Sequence, residues 1–479
     1  MDKKNIISII ISVAAAAAVL LIPGGWYNIN GLTVVEQRVM AIFIFAAIMW
    51  ITEAIPIWAT SVLTIVVMLL TVSDSAFSFL RQNAANAEYF GALIKSKSLM
   101  ATFADPIIML FLGGFFLAMG AGKCGFDKNL ARILFSPFGT KSSTVLLGLM
   151  FVTAVFSMFM SNTATAAMMF AVMAPLLAPR KDSGKGRIAL TLAIPIAANI
   201  GGIGTPIGTP PNAIALKYLN DPEGMNLGIG FGQWMAVMVP FVIALIIAAW
   251  LILLKLFPFK RTRLEVDFGG KFEKSPKAYV VYATFAVTVL LWLFDKFTGV
   301  SPNVVAMIPM AAFCVTGVIG KDDLKLINWD VLWLVAGGFA LGVGFQDSGL
   351  AKQMVASIPF AQWSPIMTIL GAGLLCYAMS TFMSNTATTA LLVPVLAAVG
   401  KGMGANLDPF GGVSTLLIGV ALAASLAMAL PISTPPNAIA HSVGLTTQKQ
   451  MAGIGLIMGA LGFVLGYLML IFLGMVKYF

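Results

Sequence analysis

Two seven-residue strings carry most of the chemistry this sequence could perform. Phe159-Met160-Ser161-Asn162-Thr163-Ala164-Thr165 recurs letter for letter as Phe382-Met383-Ser384-Asn385-Thr386-Ala387-Thr388, at an offset of 223 positions. Serine, asparagine and threonine offer neutral hydroxyl and amide donors and acceptors. Grouped at a turn beside the start of a helix, such donors suit an oxyanion such as a carboxylate. Ser157 and Ser380 each stand four residues before the motif serine, and they add oxygens of the hard type that a small cation prefers. A lone Ser-Asn-Thr reads as a helix cap or a close contact of small residues. Its duplication points instead to one shared site.

A second pair follows downstream. Thr209-Pro210-Pro211-Asn212-Ala213-Ile214-Ala215 returns as Thr434 to Ala440 at an offset of 225, and upstream Gly113-Gly114-Phe115 answers Gly337-Gly338-Phe339 at 224. Paired prolines cannot lie inside an unbroken helix, because each removes a donor and crowds the preceding turn. Three matches in one order at nearly one spacing mark a duplicated unit. The division expected is an N-terminal helix and loop over 1–37, a first repeat over 38–262 and a second over 263–479.

The elements that position these motifs must be membrane-spanning. With 59% hydrophobic and only 10% charged residues, the 479-residue chain does not describe a water-facing surface. Apolar stretches near the roughly 20 residues a spanning helix needs recur along its whole length. Two stretches, 143–178 and 364–399, are long enough to enter and return, with Ser-Asn-Thr at the middle of each, and are read as re-entrant hairpins. Two more, 188–218 and 412–444, carry Thr-Pro-Pro-Asn and are read as broken helices at the membrane midplane. The fold expected is an all-α polytopic membrane protein with eleven transmembrane helices and two re-entrant hairpins. Each repeat then holds five crossings, an odd number, so the second copy enters inverted relative to the first.

Charge orients this arrangement. Of the 29 lysines and arginines, 20 fall on the side that holds Lys3 and Lys4, among them Lys255, Lys260, Arg261, Arg263, Lys271, Lys274 and Lys277. The positive-inside rule then puts the N-terminus in the cytoplasm and the C-terminus outside, in a cytoplasmic membrane. The first apolar run, Ile6 to Ile22, is read as a retained helix rather than a cleaved signal. The net charge of +10 is dispersed between apolar segments rather than gathered with aromatics, so no nucleic-acid partner is expected. Cys124, Cys314 and Cys376 are scattered and His441 is the single histidine, which excludes a disulfide framework and a histidine-based metal site. Glu53 is read as a boundary carboxylate and His441 as an interfacial side chain.

No lysine or arginine lies near either Ser-Asn-Thr tip. A dianion there lacks a fixed counter-charge, and desolvating it beside neutral donors is costly, so bound cations are the natural compensation. Sodium coupling follows as an expectation.

These paired motifs resemble those of the divalent anion:sodium symporter family, dicarboxylate transporters, over nearly the whole chain. The resemblance implies that Ser161, Asn162, Thr163, Ser384, Asn385 and Thr386 bind the substrate carboxylates, with Thr209, Pro210, Thr434 and Pro435 beside them. It implies one sodium site at Ser157, Ser161, Asn162 and Gly208, and a second at Ser380, Met383, Asn385 and Ser433, some acting through backbone oxygen. It further implies a homodimer in lipid, an elevator motion, no cofactor besides coupling sodium ions, and a C4-dicarboxylate such as succinate, malate or fumarate. Within transport the alternatives are a sodium-independent dicarboxylate exchanger or a carrier for sulfate, citrate or a metalloid oxyanion. A channel fits opposed hairpins less well than alternating access does. An intramembrane enzyme needs a nucleophile with its base, paired acids or metal ligands, and the tips supply no catalytic residue.

Overall fold

The computed structural model describes residues 3–27, 29, 31–81, 87–178, 185–221, 225–260, 262–266, 273–357, 362–476 and 478. Arg261 and Lys271 of the basic run lie outside them. Among the described residues the chain is helical and has no β-strand.

Three helices open the chain: α1 (Lys3–Leu21), α2 (Val34–Thr52) and α3 (Ile57–Thr71). Helix α2 begins inside the segment expected to be loop, because Thr33 and Glu36 form a capping box that fixes its first turn. The Glu36 carboxylate accepts from the Thr33 backbone N–H at 2.7 Å. The first unit continues with α4 (Pro106–Lys123), α5 (Phe126–Phe135), α6 (Ser142–Ser157), α7 (Asn162–Leu177), α8 (Gly186–Gly202), α9 (Pro210–Asn220) and α10 (Phe231–Leu256). Next come α11 (Pro276–Leu293), a helical turn Pro302–Val305 and α12 (Met307–Val315). The order of α4 to α10 then returns as α13 (Trp329–Asp347), α14 (Leu350–Ser357), α15 (Pro365–Phe382), α16 (Asn385–Met403), α17 (Gly412–Leu426), α18 (Pro435–Ser442) and α19 (Gln448–Met475). Short α5 and α14 are additions to the sequence reading, which left both stretches as loop.

Nine described helices are long and apolar enough to cross a membrane. Length alone does not sort them into crossings and hairpins, since α15 and α16, the arms of the second hairpin, are among the nine while the pieces of both broken helices are too short. Helix α1 keeps most of its surface outside the packed bundle, with only 11% of its apolar window buried.

Helices α8 and α17 are the centre of the fold. Every residue from Ala189 to Gly202 and from Ser414 to Leu426 is buried, as expected of helices that are apolar or small all round. Both end where the chain unwinds, so the breaks lie deep in the protein.

The Gly-Gly-Phe pair also has a structural cause. A Cβ at Gly113 would overlap the Ala306 carbonyl, and one at Gly337 would overlap Ser61. Each glycine therefore lets its long helix, α4 or α13, close against a short apolar segment of the opposite half.

Candidate substrate and ion site

The turn between α6 and α7 is built by Ser161, which caps α7 by accepting from the Ala164 N–H at 3.2 Å. Behind it, the buried Ser157 hydroxyl lies 2.6 Å from Asn162 Oδ1 and 2.7 Å from the Ala198 carbonyl of α8. The second hairpin repeats this arrangement: Ser380 Oγ lies 2.7 Å from Asn385 Oδ1 and 3.2 Å from the Ala424 carbonyl of α17. A hydroxyl carries one proton. It donates to one acceptor at a time, so the serine, asparagine and carbonyl oxygens gather within hydrogen-bonding distance behind each tip. Such a cluster suits a small hard cation.

The breaks differ in position from the sequence reading. Thr-Pro-Pro-Asn does not interrupt the helix; it starts the next one, with Thr209 and Thr434 as N-caps and the prolines in the first turn, where their missing N–H costs nothing. The unwound residues lie just upstream, over 203–209 and 427–434. Several of the carbonyls freed there are already engaged by side chains. Asn212 Nδ2 donates to the Gly202 and Thr205 carbonyls at 3.1 and 2.8 Å, and Asn437 Nδ2 donates to Met428 and Leu430 at 2.7 and 3.0 Å. Gly208 lies beside this cluster: a Cβ at Gly202 would lie 2.7 Å from Asn162 Oδ1 and 3.0 Å from the Gly208 carbonyl.

Both tips and both helix starts meet at one cavity of about 600 Å³. Ser161, Asn162 and Thr163 line it from one hairpin, and Ser384, Asn385 and Thr386 from the other. Thr209, Pro210, Thr434 and Pro435 complete its polar wall, with Gly208 and Ser433 adjacent. Ser157, Ser380 and Met383 are buried behind the tips and do not line it. The Ser433 hydroxyl is already engaged, donating to the Thr381 carbonyl at 2.6 Å and accepting from the Leu430 N–H at 3.1 Å. No lysine or arginine is among the described lining residues, and two carboxylates are, Glu53 and Asp330. Glu53, read from the sequence as a boundary carboxylate, faces the cavity; it caps α2 in a left-handed conformation, φ 48°. His441 is exposed and is not part of the lining.

The sequence reading missed Asn199, Asp330 and the apolar wall of Phe111, Phe115 and Trp58. Asn199 had a usable signal: it is the single asparagine in the apolar stretch that becomes α8, and an amide in such a stretch needs a partner. The aromatics had none, since thirty-four phenylalanines read by default as packing or lipid contacts.

Hairpins that meet at a cavity between two like-ordered halves have the architecture of a multi-pass membrane transporter, and the family and the relatives this chain matches are transporters rather than enzymes. The chain belongs to the citrate transporter family, whose profile matches residues 47–416, and this agrees with the resemblance to divalent anion:sodium symporters. It is 30% identical over 91% of its length to a protein of Staphylococcus saprophyticus named sodium-dependent dicarboxylate transporter SdcS, covering 85% of that protein. The Staphylococcus aureus (strain USA300) protein of the same name is 31% identical over 87% of this chain and 82% of its own. Among solved structures, Neisseria gonorrhoeae MtrF, titled as one of a class of antimetabolite efflux pumps, shares the fold with a TM-score of 0.52 at 11% identity. The match covers 82% of this chain and 84% of that one.

Proposed function

We propose that the protein is a sodium-coupled carrier of C4-dicarboxylates such as succinate, malate or fumarate. The observation that carries this reading is the single cavity on which both Ser-Asn-Thr tips converge without any cationic side chain among its described lining. Paired neutral donors, one set per half, match a substrate with a carboxylate at each end. The volume of about 600 Å³ falls within the roughly 300–1,000 Å³ usual for small-molecule sites. Two negative charges entering such a site need compensation. The serine–asparagine–carbonyl oxygen clusters behind each tip supply a place for it, at Ser157 with Asn162 and at Ser380 with Asn385. The names of the staphylococcal relatives support the same substrate class and ion.

In this reading Ser161, Asn162, Thr163, Ser384, Asn385 and Thr386 hold the carboxylates, with the Thr209 and Thr434 helix starts beside them. Sodium binds the Ser157, Ser161, Asn162 and Gly208 group and the Ser380, Met383, Asn385 and Ser433 group, with Gly208, Met383 and Ser433 acting through backbone oxygen. Binding of the cations draws Asn162 and Asn385 into position, so anion and cation occupancy are coupled through the same two amides. The 38–262 and 263–479 repeats are inverted in a cytoplasmic membrane, N-terminus inside and C-terminus outside. Alternating access is an elevator motion of the hairpin and broken-helix block within a homodimer.

The test is succinate uptake by proteoliposomes of the full-length protein. Uptake that requires external sodium and stops with choline supports the proposal. Undiminished uptake in choline, dependent on an internal counter-dicarboxylate, assigns the protein to exchange instead. Saturation by citrate or sulfate in place of succinate overturns the substrate class.

A further inference from the structure

The two Thr-Pro turns are held differently, and one residue of the opposite half makes the difference. Asn199, 2% exposed near the end of α8, donates from Nδ2 to Thr434 Oγ1 at 3.1 Å and to Asn437 Oδ1 at 3.3 Å. Asn437 passes the connection on, because its own amide holds the Met428 and Leu430 carbonyls. A hydrogen-bond chain therefore starts in the first half and ends on the unwound segment of the second.

The reverse connection is missing. Ala198 and Ala424 are equivalent, since each accepts from the serine behind its tip, so the counterpart of Asn199 is Ser425. A serine hydroxyl ends one bond closer to the backbone than an asparagine amide. Ser425 Oγ is buried without a partner, and so is Asn212 Oδ1, the counterpart of the Asn437 oxygen that Asn199 satisfies. Thr209 likewise makes no side-chain cap bond, whereas Thr434 caps the Asn437 N–H at 3.4 Å.

We infer that Asn199 is a positioning residue of the transport site: from the first half it fixes Thr434 and the 427–434 segment beside Asn385, so substrate affinity at the second tip depends on a side chain of the opposite repeat. The inference rests on reading the cavity as the substrate site. It makes the two turns unequal, with the 427–434 turn tied across the repeat boundary and the 203–209 turn tied only within its own half.

Hydrogen exchange read by mass spectrometry on the full-length protein tests this without substrate. Asn199→Ser, which gives α8 the residue that α17 carries, accelerates exchange over 427–434 about tenfold, as expected for one buried bond lost and an acceptor orphaned, and leaves 203–209 unchanged. Adding Ser425→Asn slows 203–209 by supplying a donor to Asn212. In proteoliposomes Asn199→Ser raises KM for succinate about tenfold with the maximal rate within about twofold. Equal exchange in both turns, or a loss of rate at unchanged KM, overturns the inference. Should Asn199→Ser not fold, Ser425→Asn alone decides, since it must slow 203–209 selectively. If the wild-type protein takes up no dicarboxylate, the transport reading fails while the exchange comparison still settles the positioning role.

Discussion

The first and second hairpin units make the same tertiary contact with different residues. In the first, Thr205 Oγ1 donates to the Met158 carbonyl and accepts from the Gly208 N–H. In the second, Ser433 Oγ donates to the Thr381 carbonyl and accepts from the Leu430 N–H. Thr205 corresponds to Leu430 and Gly208 to Ser433 at the offset of 225 set by the Thr-Pro pair, so the hydroxyl has moved from one end of the turn to the other. The reason is space. A Cβ at Gly208 would overlap the Gly202 backbone, so residue 208 stays glycine and the hydroxyl comes from 205, whereas the side chain at 433 is accommodated. What the sequence duplicates is therefore a contact, a hydroxyl pinning the unwound turn to the hairpin, and the residue that supplies it follows local packing. The units also differ in enclosure: Ile207 is 9% exposed and its counterpart Ile432 is 71% exposed. The second turn stands open where the first is covered.

The largest effect should fall where the units agree. Asn162→Ala and Asn385→Ala each remove an anion donor together with the oxygen that faces the serine behind the tip. Two hydrogen bonds to charged species at about 1.5–3 kcal/mol each correspond to at least about a 100-fold loss of succinate uptake, alike for both variants. A variant that kept most of its transport would show that one tip alone carries the site and that the duplication is decorative.

Where the units differ, smaller effects sharpen the comparison. Ser433→Ala orphans the Thr381 carbonyl and the Leu430 N–H, and Thr205→Val orphans the Met158 carbonyl while the Gly208 N–H keeps the residue-205 carbonyl at 3.3 Å; each should lower stability by about 1–3 kcal/mol in thermal unfolding in detergent. The rescues separate them. Leu430→Thr restores Ser433→Ala, since it rebuilds the first unit's solution, whereas Gly208→Ser worsens Thr205→Val by about 1–3 kcal/mol because its Cβ meets the Gly202 backbone. Equal rescue in both units would mean that close approach at Gly208 does not decide which end carries the hydroxyl.

Identical strings made the polar tips and the helix starts legible, because exact repetition in an apolar chain has few causes. The convergence of Ser161 to Thr163 with Ser384 to Thr386 on one cavity was an expectation from the duplicated order, and the geometry brings them together. What stayed illegible is what the repeat does not copy. Asn199 and Ser425 differ, so no duplication drew attention to them, and the Thr205–Ser433 exchange hides a shared contact behind unlike letters. The site of helix breakage was misread because proline was taken as the breaker, although at the first turn it is a starter. The carbonyl partners of Asn212 and Asn437 follow from tertiary closure, which no local pattern encodes.

The smallest expected effect concerns how the long helices end. Lys123 closes α4, where a cation favours the C-terminal dipole, and its ammonium donates to Asp323 and to the Val318 carbonyl. The corresponding end of α13 is Asp347, of opposite charge, so this contact, which joins the end of α4 to residues of the second unit, is not copied at the end of α13. Hydrogen bonds from Lys123 and then from the Gly320 N–H hold the Asp323 carboxyl below the usual carboxylate range. A depressed folded pKa contributes stability that is present above the unfolded value and lost as pH falls through the folded one. The pair is partly exposed, 43% for Lys123 and 16% for Asp323, so solvent screening keeps its worth below about 1 kcal/mol. Asp323→Asn should therefore lower Tm by no more than about 2 °C near neutral pH, and the deficit should shrink toward zero as pH falls below the ordinary aspartate range. A deficit that persisted in acid would trace the loss to the Gly320 contact rather than to charge.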